Sequence, residues 1–443
     1  MQEFTRLRVP AFDLTWIQLS KDEPASHVVV AGGGGSAKSG VKNSLLVMQQ
    51  DVVTGSFTNV QSFQTDTPTK SVLCSGVASG FINQHSVVAA SLAGSCLVLQ
   101  VDKADDGSPK FSRKVEFAAD FAKDDACVHS CIIKHDFIVT GGEDGICRVW
   151  NINIQNIQID QQIKQNKSKR EGEKDKESVE SEWKAVQFCE QKIHVVPISA
   201  LAFHPTQLWI CSAAKDGSCK IWDIEQKSVL CELNANNNVL NSGLPKSGLK
   251  VETRGCCFSP CGSLLYSLES MKKGTSSVRM WKINSSTNSP TSTSTTVVGR
   301  SANSAQAQKL TVLLPILATT TAICNIPCIR LTISDTGEYL GIGDSDGRVH
   351  LYSTSNSTSL SRQTSFPCHD FVVTGLGFAS ARTAEQRGLK ALLVSCSADN
   401  KFVSMKYKGG WLPAAAKCCV FALLILIFII LMCKTYELIA FLA

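Results

Sequence analysis

A hairpin recurs seven times along the chain: an apolar strand, a turn of small and acidic residues, then a second strand of alternating character, beginning near His27, Ser86, Phe137, Leu208, Leu264, Tyr339 and Ala391. Four turns hold Asp-Gly or Asp-Asn, at 144–145, 216–217, 346–347 and 399–400. Those dipeptides supply the φ > 0 that a tight hairpin needs. Trp150, Trp222, Trp281 and Tyr352 close second strands. One hairpin cannot bury its own apolar face, so a chain made of them must stack each copy against the next. The copies stand farther apart than the ~40–45 residues of a compact repeat, which leaves room for loop insertions.

The hairpins resemble those of WD repeats, degenerate in places, and Phe203-His204-Pro205 and Phe258-Ser259-Pro260 resemble the turn before a repeat's second strand. The expectation is an all-β chain, a seven-bladed WD-repeat-like β-propeller over residues 1–410, followed by a single C-terminal transmembrane helix. Little chain follows the seventh hairpin, so Phe4 to Val9 is expected to close the last blade as its outer strand. Insertions at about 160–184, with alternating charges, and 284–308, rich in Ser and Thr, are expected to be unfolded, because such compositions bury too little to offset chain entropy.

Charged residues make up 19% of the 443 positions and the net charge is +6, which argues against a polybasic nucleic-acid groove. The 19 cysteines fall mostly in apolar stretches, such as Cys96, Cys147, Cys211 and Cys396, as reduced thiols used as small core hydrophobes do. Cys127 with Cys131, and Cys324 with Cys328, lack second halves at zinc spacing. Cys418 to Cys433 is an uninterrupted apolar run between Lys417 and Lys434. Extended back to Leu412, it reads as a membrane helix over 412–433 with a luminal tail at 434–443. Lys406, Lys408 and Lys417 before the run put the N-terminal domain in the cytosol by the positive-inside rule. No secretory signal is read at the N-terminus.

Gly32, Gly33, Gly34 and Gly35 in succession, then Lys38, Val41 and Asn43, form the least ordinary stretch. Ala37 stands where a phosphate-binding loop needs its second glycine, and a strand rather than a helix follows, so no nucleotide binding is read here. Four glycines raise the entropy cost of ordering. Three readings stay open on composition: a long flexible turn, carbonyls converging on a cation, or a surface that a partner's backbone approaches closely.

This loop on the first blade, the propeller and the C-terminal span together resemble the prolactin regulatory element-binding family, exchange factors of the endoplasmic reticulum (ER) membrane. They act on the Sar-type small GTPase that starts COPII coats. Further matching stretches begin at Thr140, Ser334 and His369. The resemblance implies nucleotide exchange without covalent chemistry, ER-membrane localisation, and a potassium ion as the cofactor. It assigns Gly32, Gly33 and Asn43 to the potassium, and Gly34, Gly35, Val41 and Asn43 to the loop that contacts the GTPase. The alternative is a membrane-anchored WD-repeat scaffold without exchange activity. A DNA-binding role is not expected, since neither a basic recognition helix nor a zinc module is present. No Gly-x-Ser-x-Gly elbow occurs, and His204 reads as turn structure rather than as a base.

Overall fold

The computed structural model describes residues 2–34, 41–51, 56–65, 74–156, 181–234, 251–271, 274–283, 316–356 and 359–409. They form seven four-stranded antiparallel sheets. The inner strand of each sheet contacts the inner strand of the next, and Val373–Phe378 meets Ala11–Ile17 to close the ring. A seven-bladed propeller results, its sheet edges short and turned outward.

Strand His27–Gly32 shows why these apolar runs suit the fold. It is buried along its whole length, and alternate residues serve opposite neighbours. Val29 and Ala31 pack with Val77, Val88 and Leu97 of blade 2, whereas Val28 and Val30 pack with Val394, Cys396 and Phe402 of blade 7. A strand covered on both faces needs a continuous rather than an alternating apolar pattern. The turn dipeptides behave as expected: Gly145, Gly217, Gly347 and Asn400 have φ of 72°, 85°, 79° and 62°. Trp150 donates to Thr140 Oγ1 at 2.9 Å and Trp281 to Ser267 Oγ at 3.0 Å, so the closing aromatic residues tie third strands to second ones.

The N-terminus closes the ring. Gln2–Arg6 pairs antiparallel with Lys401–Tyr407, with Phe4 opposite Val403. The strand starts and ends earlier than the expected Phe4 to Val9, because Leu7 to Pro10 make the connection into blade 1, where Leu7 and Val9 are buried. A second correction concerns the charged insertion. Strand Ser181–Lys192 begins inside it, and Trp183 is buried beside the His85 ring with the Lys114 ammonium over its face. Trp183, Cys189 buried further along, and pairing with Ile146–Asn156 hold the outer strand there. The rest of that insertion, the segment 284–308, the proposed span 412–433 and the tail 434–443 lie outside the described residues. Among the described residues no helix is long and apolar enough to cross a membrane.

All seven inner strands carry a register shift near their start. A bulge re-aims side chains, and here Phe12, His129, Ser199, Arg254, Ile329 and Thr374, at or beside six of these shifts, line a cavity of about 330 Å³ on the ring axis. Its guanidinium groups are matched in place: Arg254 pairs with Glu252, and Arg330 lies 4.0 Å from Asp13.

Candidate functional site: the glycine-loop face

In an antiparallel four-stranded blade, the turn between strands two and three leaves from the same face as the connection to the next blade. The glycine loop is the second-to-third turn of blade 1, between His27–Gly32 and Ser44–Gln50, so it shares its face with the connecting segment Leu7 to Pro10. The two are in contact. Gly33 N–H donates to Pro10 O at 2.9 Å.

Glycine is required at the neck for space as well as for backbone freedom. A Cβ on Gly32 would lie 2.3 Å from Pro10 O, and one on Gly33 would lie 2.2 Å from Asn43 Oδ1 and 2.5 Å from Asn43 Cα. Gly33 also has φ 148°, which side-chain-bearing residues rarely adopt. Across the neck, Gly34 N–H donates to Val41 O at 3.3 Å, and Asn43 O accepts from Thr65 N at 3.1 Å. Asn43 is 1% exposed and Val41 is 37% exposed. The neck thus brings together Gly32, Gly33, Gly34, Val41 and Asn43; Gly35 lies outside the described residues. A buried Asn43 oxygen packed on glycine backbone is a hard-oxygen environment, and it fits the donor type an alkali cation takes.

The same face presents apolar residues that sequence reasoning missed. Phe121, Val195 and Phe371 are 58%, 87% and 59% exposed, in the connections into blades 3, 4 and 7. Each stands one or two residues beyond a buried polar anchor. Asp120 Oδ2 accepts from Asp144 N at 3.3 Å, and the Asp144 carboxylate pairs with Arg148 at 2.7 Å, whose guanidinium lies 4.7 Å over the Phe121 ring. His194 Nε2 meets Ser212 Oγ at 2.8 Å and its Nδ1 meets Ser218 Oγ at 3.1 Å, fixing the residue before Val195. His369 bridges Asp399 at 3.2 Å and Ser395 at 2.8 Å, and Asp399 Oδ2 also accepts from Asp370 N at 3.0 Å, next to Phe371. Burial holds the His369 imidazole below its ordinary value despite Asp399, so it bridges as the neutral ring. A signal was present in the sequence: Asp120-Phe121, His194-Val195 and His369-Asp370-Phe371 each set an apolar residue after a polar anchor, in a connection rather than a strand.

The face is equipped to hold apolar side chains in water at fixed positions, and large exposed aromatic side chains on rigid ties mark protein contact. His204 lies in the turn between the first and second strands of blade 4. Its Nδ1 accepts from Thr206 N and Gln207 N at 3.3 and 3.1 Å, so it is the turn residue that was expected.

Residues 122–151 and 188–223 match the family model described as WD domain, G-beta repeat. No curated protein matches the chain. Among solved structures, Sqt1 from Chaetomium thermophilum is similar with a TM-score of 0.56 and 14% identity, over 94% of this chain and 87% of that one. A chain of a mitotic checkpoint complex is similar with a TM-score of 0.55 and 13% identity, over 91% of this chain and 94% of that one. Likeness at such identities concerns the fold. The chain is a seven-bladed β-propeller, two stretches of which match WD40 repeats, an architecture consistent with a scaffold or protein-interaction role.

Proposed function

We propose that the chain is a guanine nucleotide exchange factor for a Sar-type small GTPase at the ER membrane, docking the GTPase on the glycine-loop face. The observation that carries this reading is the neck itself. Gly32 and Gly33 have no room for a Cβ, and they hold the resemblance-bearing loop against Asn43 and Pro10 with Val41 exposed beside it. A GTPase holds GDP through its phosphate cradle, Mg²⁺ and ordered switch segments. A partner that binds the nucleotide-free form more tightly than the loaded form must weaken GDP affinity by the same factor. Val41 supplies an apolar contact, the glycines allow close backbone approach, and Asn43 braces the neck from within. A potassium ion held by Asn43 and by backbone carbonyls of Gly32 and Gly33 would supply fixed positive charge that favours one loop shape.

The membrane part of the reading rests on the apolar run from Cys418 to Cys433. The third strand of blade 7 ends at Tyr407 on the face opposite the glycine loop. With 412–433 crossing the bilayer, the docking face points away from the membrane, toward a soluble or peripheral GTPase.

The test is release of a fluorescent GDP analogue from purified Sar-type GTPase, in potassium or sodium buffer, with wild type and Asn43→Ala. Accelerated release by wild type, reduced by the substitution, supports exchange; a faster rate in potassium than in sodium supports the ion. Phe121, Val195 and Phe371, in the connections into blades 3, 4 and 7, favour a second reading as a scaffold for several partners. In that case the GTPase binds and its release rate does not change.

A further inference from the structure

Cys324 and Cys328 have no second pair at zinc spacing in the sequence. Folding supplies the other half from strands of blade 6. Cys324 ends the outer strand of blade 5, Cys328 opens the inner strand of blade 6, Asp344 ends its second strand and His350 lies in its third. Cys324 Sγ, a ring nitrogen of His350 and a carboxylate oxygen of Asp344 all lie within 4.8 Å of one another. Cys328 Sγ, outside that group of three, is 3.4 Å from Cys324 Sγ and completes the set by moving toward the ion, and His350 Nε2 is 3.0 Å from Asp344 Oδ2. A tetrahedral zinc with ~2.3 Å bonds to sulfur and ~2.0 Å bonds to nitrogen and oxygen has ligand–ligand edges of roughly 3.3–3.8 Å, close to both separations.

We propose that Cys324, Cys328, Asp344 and His350 form a binding site for a zinc-type divalent cation that clips blade 5 to blade 6. This site is independent of the exchange reading.

Three further features suit the proposal. Asp344 Oδ1 is held by the N–H groups of Asp346 and Arg348, at 3.0 and 2.8 Å, which fixes the carboxylate and leaves Oδ2 for the metal. Supporting bonds of that kind orient ligands in metal sites. Cys328, Asp344 and His350 are buried while Cys324 is partly exposed, so of the four it is Cys324 that solvent reaches. His194 and His369 stand four residues before the inner strands of blades 4 and 7 and meet serine hydroxyls at 2.8 Å; Cys324 holds that place before blade 6, where it neighbours His350. Thiolate with imidazole and carboxylate is a zinc donor set. Binding releases one proton from each thiol to water and replaces the His350–Asp344 hydrogen bond with two metal bonds. With the ion on Nε2 the ring proton sits on Nδ1, so Arg362, exposed and 3.5 Å from Nδ1, must shift, and its charge offsets the net negative charge of two thiolates and a carboxylate around a divalent ion.

The experiment uses the full chain, reduced, freed of metal and held in detergent micelles, titrated with Co²⁺. The expected result is a sulfur-to-cobalt charge-transfer band that saturates at one equivalent and is displaced by Zn²⁺. Cys324→Ser and Cys328→Ser each weaken binding by more than about 100-fold, beyond the effect of a supporting residue. Cys261→Ser, at an exposed thiol elsewhere, leaves the titration unchanged. Asp344→Asn, which keeps the backbone hydrogen bonds, guards against misfolding as the cause and also weakens binding. The proposal is overturned if no such band forms, if the band survives both serine substitutions in folded protein, or if Cys324 and Cys328 of the metal-free protein prove to be joined as a disulfide under the reducing conditions used.

Discussion

Gly33→Ala tests whether the glycine neck is a built structure. Two penalties combine there. Holding alanine at φ 148° costs about 1–3 kcal/mol, the range for a side chain forced into a sparsely populated backbone region. The new Cβ also lies 2.2 Å from Asn43 Oδ1 and 2.5 Å from Asn43 Cα, contacts that cannot exist without displacement. The Cα belongs to the paired backbone and Asn43 is buried, so neither atom can swing into solvent, and overpacking of this kind costs about 1–3 kcal/mol more. Gly107→Ala separates the two terms: Gly107 has φ 83° and nothing within 4 Å of the place its methyl group would take, so it incurs backbone strain alone. Urea unfolding of both variants should show Gly33→Ala as the less stable by about 1–3 kcal/mol, the overpacking contribution. Asn43→Ala in the Gly33→Ala background should recover only part of the loss, because the contact with Cα persists. Equal destabilisation of the two glycine variants would refute the close approach at the neck.

His369→Ala should cost about 2–3 kcal/mol, since it removes a buried hydrogen bond to the Asp399 carboxylate. His129→Ala, at a partly exposed pair with Glu143, should cost less than about 1 kcal/mol in the same unfolding assay. Burial holds His204 below its ordinary 6.5, and its Nδ1 accepts two N–H groups, so the unfolded state binds more protons as pH falls through that value. His204 therefore contributes stability that is present above pH 6.5 and lost on acidification, and His204→Asn should flatten that part of the stability–pH curve. Phe121→Ser and Phe371→Ser should leave stability within about 0.5 kcal/mol of wild type while weakening partner binding, measured by calorimetry.

The hairpins were readable because turn chemistry and strand pattern are local: Asp144-Gly145 and Asp399-Asn400 specify their φ values wherever the chain goes. The closing role of the N-terminus followed from counting strands, but its bounds did not, since Leu7 and Val9 are apolar for the sake of an inter-blade core rather than a strand. Strand Ser181–Lys192 was hidden because Glu182 and Lys184 flank Trp183 with the same charges that fill the insertion before it. The partners of the polar anchors were out of reach for a different reason. His369 and Asp399 are 30 positions apart, and Cys324 and His350 are 26 apart, so only the folding of blades brings them together. Gly32 and Gly33 were singled out by composition; that Asn43 excludes a Cβ at Gly33 comes from the hairpin register, in which Gly32 faces Ser44, and that Pro10 excludes one at Gly32 comes from the ring's closure.

Exchange rests on a difference in affinity, and that difference can be measured directly. The full chain in micelles is titrated by calorimetry with Sar-type GTPase in its nucleotide-free and its GDP-loaded forms. Tighter binding of the nucleotide-free form is predicted, with the preference reduced by Asn43→Ala. Equal affinity for the two forms would contradict exchange activity, because a partner that does not discriminate between them cannot shift the GDP equilibrium.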